Sequence, residues 1–99
     1  MSEKTLYQEK IQARIEKLQA QTEELQAKAK GVKADLKQQV LEAIEDLRKR
    51  QTKAEEQLGE MRQAGEAAWS DLRAGVETSV DDLATALDSA SEQINRAVR

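Results

Sequence analysis

The sequence lacks cysteine, proline, histidine and phenylalanine, and it contains one tryptophan, Trp69, and one tyrosine, Tyr7. Without cysteine the chain forms no disulfide and offers no thiol nucleophile, and without histidine it cannot form a nucleophile–histidine pair. Zinc sites made from histidine and cysteine are excluded for the same reason. The shortage of aromatic side chains also argues against an ordinary globular core, which uses them because they bury the most area per residue.

What the sequence does contain is a high proportion of strong helix formers: alanine, glutamate, glutamine, lysine, leucine and arginine. Charged residues make up 35% of the 99 residues, and the formal net charge is −3. This composition is typical of long helices and coiled coils. The near balance of charge and the regular apolar spacing favour helix over disorder.

Apolar side chains recur with helical spacing along the chain. Over residues 11–36 the spacing alternates between four and three, which predicts a heptad seam at Ile11, Ile15, Leu18, Thr22, Leu25, Ala29, Val32 and Leu36. An 11-residue period then takes over, with a column at Leu25, Leu36, Leu47, Leu58, Trp69, Val80 and Ser91. Eleven residues in three turns give about 3.67 residues per turn, so this stripe runs nearly straight. Trp69 is therefore predicted to be an apolar residue of the stripe.

These patterns predict an all-α fold with a single domain over residues 1–99, built from a long amphipathic helix or coiled coil. The stripe crosses Gly31 in phase, from Ala29 to Val32, so Gly31 is predicted to be helical and the first helix covers about residues 5–58. Gly59 and Gly65 weaken residues 57–66. There the chain either bends into a hairpin, with a second helix over about 66–98, or continues as a rod of about 150 Å. The sequence leaves both possibilities open.

The apolar stripe is the predicted interaction surface, because a lone amphipathic helix leaves that face exposed to water. The stripe is expected to pair with another copy of the chain or with a helix of a different protein. The residues predicted to form this partner interface are Ile11, Ile15, Leu18, Leu25, Leu36, Ile44, Leu47, Leu58, Trp69, Leu72, Val76, Leu83 and Leu87.

Other chemistry is poorly supported by the sequence. A thin helix offers no pocket to desolvate a carboxylate, so we expect no catalytic residues, no metal and no cofactor. The densest basic run, around Arg48 to Lys53, lies beside acidic residues, so we expect no nucleic-acid binding. No run is apolar enough for a membrane span or a secretory signal, and the absence of cysteine suits a reducing compartment, so a cytoplasmic location is expected.

Two alternative functions remain open. An 11-residue stripe can lie flat on a membrane or lipid body, although residues 65–99 are acidic and contain no lysine. The high charge also permits a stress-protective or adaptor helix that becomes ordered only on binding.

The chain resembles a group of small bacterial coiled-coil proteins of unknown function. The likeness lies in YQEK at residues 7–10, EDLR at 45–48 and, most specifically, AWSDLRAG at 68–75. The last segment matches a pattern of Ala, Trp, any residue, Asp or Glu, Leu, Lys or Arg, any residue, Gly. The resemblance implies a long charged helix followed by this segment, and it implies no particular activity.

Overall fold

Three α-helices account for most of the chain. The computed structural model describes residues 2–98, with α1 at Glu3–Lys28, α2 at Lys37–Gln63 and α3 at Trp69–Ala97. No β-strand occurs in that range. The predicted all-α fold of long helices is confirmed.

The first helix begins at a conventional cap and ends earlier than predicted. The Ser2 hydroxyl accepts a hydrogen bond from the Thr5 backbone N–H at 3.2 Å, which satisfies one of the free donors of the first turn. After Lys28 the chain forms a short 3-10 turn, Ala29–Gly31, followed by extended backbone at Val32 and a second 3-10 turn, Ala34–Leu36. We call residues 29–36 the connector.

The prediction of one helix over about 5–58, with a helical Gly31, is therefore wrong. Tertiary packing decides against it, because a straight helix would leave the apolar stripe in water, whereas a chain that folds back buries the stripe against itself. The signals of a helix end were present in the sequence, since Lys28 and Lys30 occupy the last turns and Gly31 follows.

The second reversal lies close to the predicted bend. Helix α2 continues through Gly59 to Gln63, and Ala64 is extended. The Gly65 carbonyl then accepts hydrogen bonds from the backbone N–H groups of Ala68 and Trp69, at 3.0 and 3.1 Å, and so starts α3. The hinge predicted within residues 57–66 thus lies at residues 64–68, and the second predicted helix, about 66–98, corresponds to α3.

The helices run up, down and up, each packed against the other two. The bundle measures 51 × 19 × 15 Å between Cα atoms, so the alternative of a rod of about 150 Å is wrong. Helices α2 and α3 share the most extensive contact, and α1 lies against both. Within residues 2–98 no helix combines the length and apolarity needed to cross a lipid bilayer.

A single apolar core runs the length of the bundle. Its most deeply buried large side chains include Ile15, Leu47, Met61, Leu83 and Ile94. The 11-residue column of the sequence is buried at Leu25, Leu47, Leu58, Trp69 and Val80 and half-buried at Leu36. Gly65 follows the buried Ala54 by eleven residues, but it is exposed because it lies in the turn between α2 and α3.

Candidate functional site

The predicted interface residues come together inside the molecule. Eleven of the thirteen are buried and two, Leu36 and Leu72, are half-buried against the same core. The prediction placed them against a partner, whereas the structure places them against the chain's own helices. The residues of this set are Ile11, Ile15, Leu18 and Leu25 on α1, Leu36 in the connector, Ile44, Leu47 and Leu58 on α2, and Trp69, Leu72, Val76, Leu83 and Leu87 on α3.

This arrangement defines a groove between α2 and α3, which α1 fills. We call it the α1 groove. Helix α1 buries one row of side chains, at Tyr7, Ile11, Ile15, Leu18, Thr22 and Leu25. Helix α3 has a wider buried face with nine residues, because it meets both other helices. The groove is thus an apolar channel that accommodates one amphipathic helix.

The row on α1 contains a polar residue near its middle. Thr22 is 1% exposed, and its hydroxyl donates a hydrogen bond to the Leu18 backbone carbonyl at 3.0 Å. The hydroxyl is satisfied within α1 itself, so it adds no polar link to the groove.

The polar links that hold α1 to the bundle lie near its surface. Arg14 forms an ion pair with Asp81 at 2.8 Å, and these side chains are 42% and 64% exposed. Further along, Arg48 donates a hydrogen bond to Gln26. At the start of α1 the Lys4 ammonium donates to the backbone carbonyls of residues 62 and 64, where α2 ends. Exposed pairs of this kind contribute little, about 0–1 kcal/mol each.

The two aromatic side chains of the protein meet where α1 and α3 begin. The ring centroids of Tyr7 and Trp69 are 6.0 Å apart, and the rings are tilted by 40°. The Arg73 guanidinium lies over the tyrosine ring, 4.6 Å from its centroid. The Tyr7 hydroxyl donates a hydrogen bond to the Glu77 carboxylate at 2.8 Å. We call Tyr7, Trp69, Arg73 and Glu77 the aromatic cluster.

The aromatic cluster perturbs its tyrosine. Burial, together with the hydrogen bond to Glu77 and the charge of that carboxylate, raises the pKa of Tyr7 to about 12, although Arg73 acts in the opposite direction. The neutral phenol is therefore the form that the folded bundle stabilises. An open depression beside the cluster is lined in part by Leu6, which is 52% exposed.

The opposite end of the bundle is basic. Lys28, Lys30, Lys33 and Lys37 lie in and beside the connector, and all four are exposed. None of the ion pairs formed among residues 2–98 involves these lysines. Within the same range, no three carboxylate side chains come together in the way that metal ligands do.

The predicted interface omits part of the core, although the sequence pattern had already placed Thr22, Ala29, Val32 and Val80 in the stripe. The residues outside the predicted interface that the structure buries are Tyr7, Thr22, Ala29, Val32, Val40, Ala54, Met61, Ser79, Val80, Ala90, Ile94 and Ala97. The position of Tyr7, four residues before Ile11, would have identified it as the first member of the α1 row. Ser79 lies three residues after Val76 and four before Leu83, but a polar side chain is not assigned to an apolar stripe. Its hydroxyl donates a hydrogen bond to Gln57 of α2, a contact that only the fold creates.

Comparison with known proteins adds no assignment to this geometry: the chain matches no protein-family model, no curated protein and no solved structure.

Proposed function

We propose that the protein is a non-enzymatic interaction protein that binds an amphipathic helix in the α1 groove, in the place where α1 lies. The helix comes from a second copy of the chain or from another helical protein. The observation that carries this proposal is the attachment of α1 by a single buried row of side chains, flanked by exposed polar links. A cytoplasmic setting is part of the proposal and is supported by the absence of cysteine.

Displacement of α1 is the energetic step that such binding requires. Helix α1 makes less extensive contact with each neighbour than α2 and α3 make with each other. Elements with few buried apolar contacts open at lower free energy than the rest of a structure. The α2–α3 hairpin would therefore remain while α1 leaves, and an incoming helix would recover the burial that α1 gives up.

The α1 groove has the features of a helix-binding site. Apolar side chains from two helices form its floor, including Ile44 and Leu47 of α2 and Val80 and Leu83 of α3. Helices that bind in such grooves present apolar anchors with spacings of three and four residues. The row on α1 has this spacing, so its sequence describes the partner helix that the groove would accept.

Binding of an added helix tests the proposal directly. A labelled peptide with the sequence of residues 3–28 is titrated with the full-length protein, and binding is followed by fluorescence anisotropy. The temperature is set near the midpoint of the thermal transition, where α1 leaves the groove. We expect saturable binding. A control peptide with Ile15→Ser and Leu18→Ser should not bind, because both residues are buried in the row. Failure of the unmodified peptide to bind, or equal binding of both peptides, would overturn the proposal.

A second candidate function is binding to an anionic lipid surface through the basic end. Leu41 and Val98 are 47% and 40% exposed, and Leu41 lies one turn after Lys37 on the same face of α2. Lysines beside exposed apolar side chains are typical of surfaces that bind anionic lipids. Flotation with vesicles tests this role. Recovery with anionic but not with neutral vesicles would support it, and no recovery with either would exclude it.

A further inference from the structure

We propose that the partner helix is supplied by a second copy of the same chain, through a domain-swapped dimer. In this dimer the connector straightens into helix, and α1 of each copy occupies the α1 groove of the other. This inference depends on the proposed function, because it requires the groove to accept an α1 that belongs to a different molecule.

The backbone of the connector permits the change. No residue in the range 2–98 has a positive φ, and the sequence contains no proline, so no residue of the connector is confined to a turn. Within the connector only Val32 and Lys33 are extended, with ψ values of 141° and 145°. If ψ of these two residues changes to the helical value of about −42°, the connector becomes helix after small adjustments in the adjoining 3-10 turns.

In the closed connector, no side chain caps the backbone N–H groups at the start of α2. The residue at the cap position, Leu36, cannot supply such a cap. Its backbone N–H instead donates to the Lys33 carbonyl at 3.0 Å in the second 3-10 turn. A continuous helix removes both free ends and pairs their backbone groups within the helix, which favours the straightened form.

The apolar pattern crosses the connector in phase. Ala29 and Val32 are buried, Leu36 is half-buried, and they follow Leu25 and precede Val40 at spacings of three and four. On a continuous helix all five would lie on one face. The helix from Glu3 to Gln63 would be about 92 Å long at 1.5 Å per residue, and its stripe would have no gap.

The swapped dimer needs little new contact surface. Each α1 finds in the other copy the same groove residues that it meets in its own chain, which is why exchange of an identical element is a low-cost route to dimers. The new contact arises where the two straightened connectors lie side by side at the two-fold axis. The charges of the two connectors would meet there, and each copy contributes more lysines than carboxylates: Lys28, Lys30, Lys33 and Lys37 against Asp35.

This charge predicts an unusual salt dependence. Like charges at the two-fold axis oppose the dimer at low ionic strength, and salt screens them over a Debye length that falls from about 30 Å at 0.01 M to about 3 Å at 1 M. The swapped dimer should therefore become more populated as salt is added. A dimer held by opposite charges would respond in the reverse direction.

A proline at residue 33 separates the two forms. Lys33 has φ −59°, which matches proline, and Val32 has the extended backbone that proline requires of the preceding residue. The Lys33 N–H donates none of the backbone hydrogen bonds of the connector, whose two turns are closed by the N–H groups of Val32 and Leu36, so Lys33→Pro preserves them. The same proline would interrupt a continuous helix. Lys33→Ala is the matched control, because it removes the charge without restricting the backbone.

The experiment measures the mass of the full-length protein by light scattering and sedimentation, after heating through the unfolding transition and slow cooling, at low and high salt. We expect wild type and Lys33→Ala to dimerise, and we expect more dimer at high salt. Lys33→Pro should raise the dissociation constant by about 10⁴-fold, because the dimer holds one proline in each of two straightened connectors and each proline inside a helix costs a factor of about 100. A wild type that is monomeric in all conditions, or a Lys33→Pro variant that dimerises like Lys33→Ala, would overturn the proposal.

Cross-linking identifies the exchanged helix. Because the chain has no cysteine, copies with Arg14→Cys can be mixed with copies with Asp81→Cys and joined by a short bis-maleimide. These residues pair across α1 and α3, so a link between different copies reports a swap. We expect linked dimers, and none in the Lys33→Pro background. If the peptide of residues 3–28 binds but no linked dimer forms, the swap is wrong and the proposed function stands. If the peptide also fails to bind, both are wrong.

Discussion

Deprotonation of Tyr7 should loosen the end of the bundle where α1 and α3 begin. The phenol donates a hydrogen bond to Glu77, and a phenolate would instead face that carboxylate as a second negative charge. The pKa of Tyr7 is raised to about 12 in the folded protein, from 10.0 for an unperturbed tyrosine. The change to be tested is a rise in pH from 9 to 12, with Tyr7→Phe as the matched control.

The sign and size of the effect follow from these two values. Because folding favours the neutral phenol, the stabilisation is complete below pH 10 and is lost as the pH rises through the pKa of the folded state. One pKa unit corresponds to about 1.36 kcal/mol, so a rise from 10.0 to about 12 corresponds to at most about 2.7 kcal/mol. Stability of wild type should therefore fall between pH 10 and 12 by up to this amount.

The assay has two independent signals. Since Tyr7 is the only tyrosine, the absorbance of tyrosinate reports its ionisation without interference from another phenol. Urea unfolding at each pH, followed by circular dichroism, gives the free energy of unfolding. The quantity of interest is the difference between wild type and Tyr7→Phe, because this difference cancels effects of pH that do not involve the phenol. A native Tyr7 that titrates near 10, or a control that loses as much stability as wild type, would refute the reasoning.

Three further predictions concern the core and its surface. Leu83→Ala should destabilise the bundle by about 2–5 kcal/mol in urea unfolding, because Leu83 is 0% exposed. The exposed Leu41 is the control, and Leu41→Ala should change the free energy of unfolding by less than about 0.5 kcal/mol. Similar losses in the two variants would contradict the assigned core. A double-mutant cycle with Arg14→Ala and Asp81→Ala should give a coupling energy below about 1 kcal/mol that decreases with salt, since both side chains are exposed; a salt-independent coupling of several kcal/mol would show that the pair is desolvated. Thr22→Val should leave stability unchanged or raise it, because the hydroxyl only bonds the carbonyl of its own helix; a clear loss would mean that the hydroxyl has a role in the groove.

Much of the core was predictable from the sequence because its residues repeat with a helical period. The 11-residue column identified Leu47, Leu58 and Trp69 as one face, and the structure buries all three. Such a stripe runs nearly straight along a helix, because eleven residues in three turns stay close to the natural helical period. The periodic signal depends only on which face is apolar, so it holds whether the face meets a partner or the same chain.

For that reason the sequence could not decide what covers the stripe. Periodicity continues in phase through Leu25, Ala29 and Val32, and a continuous helix fits it as well as a reversal does. The reversal is decided by the burial gained when three helices pack together, which is a property of the whole chain. The polar links of the candidate site, such as Tyr7 with Glu77, join residues far apart in sequence and follow only from that packing.

The meeting of Tyr7 and Trp69 has a consequence for spectroscopy. Both aromatic chromophores lie at one end of a bundle 51 Å long, so near-ultraviolet dichroism and fluorescence report on that end alone. Far-ultraviolet dichroism, in contrast, averages over all three helices. If α1 detaches before the α2–α3 hairpin melts, the aromatic signals will change at lower denaturant than the helical signal. Two unfolding curves that fail to coincide would then record the order in which the helices separate.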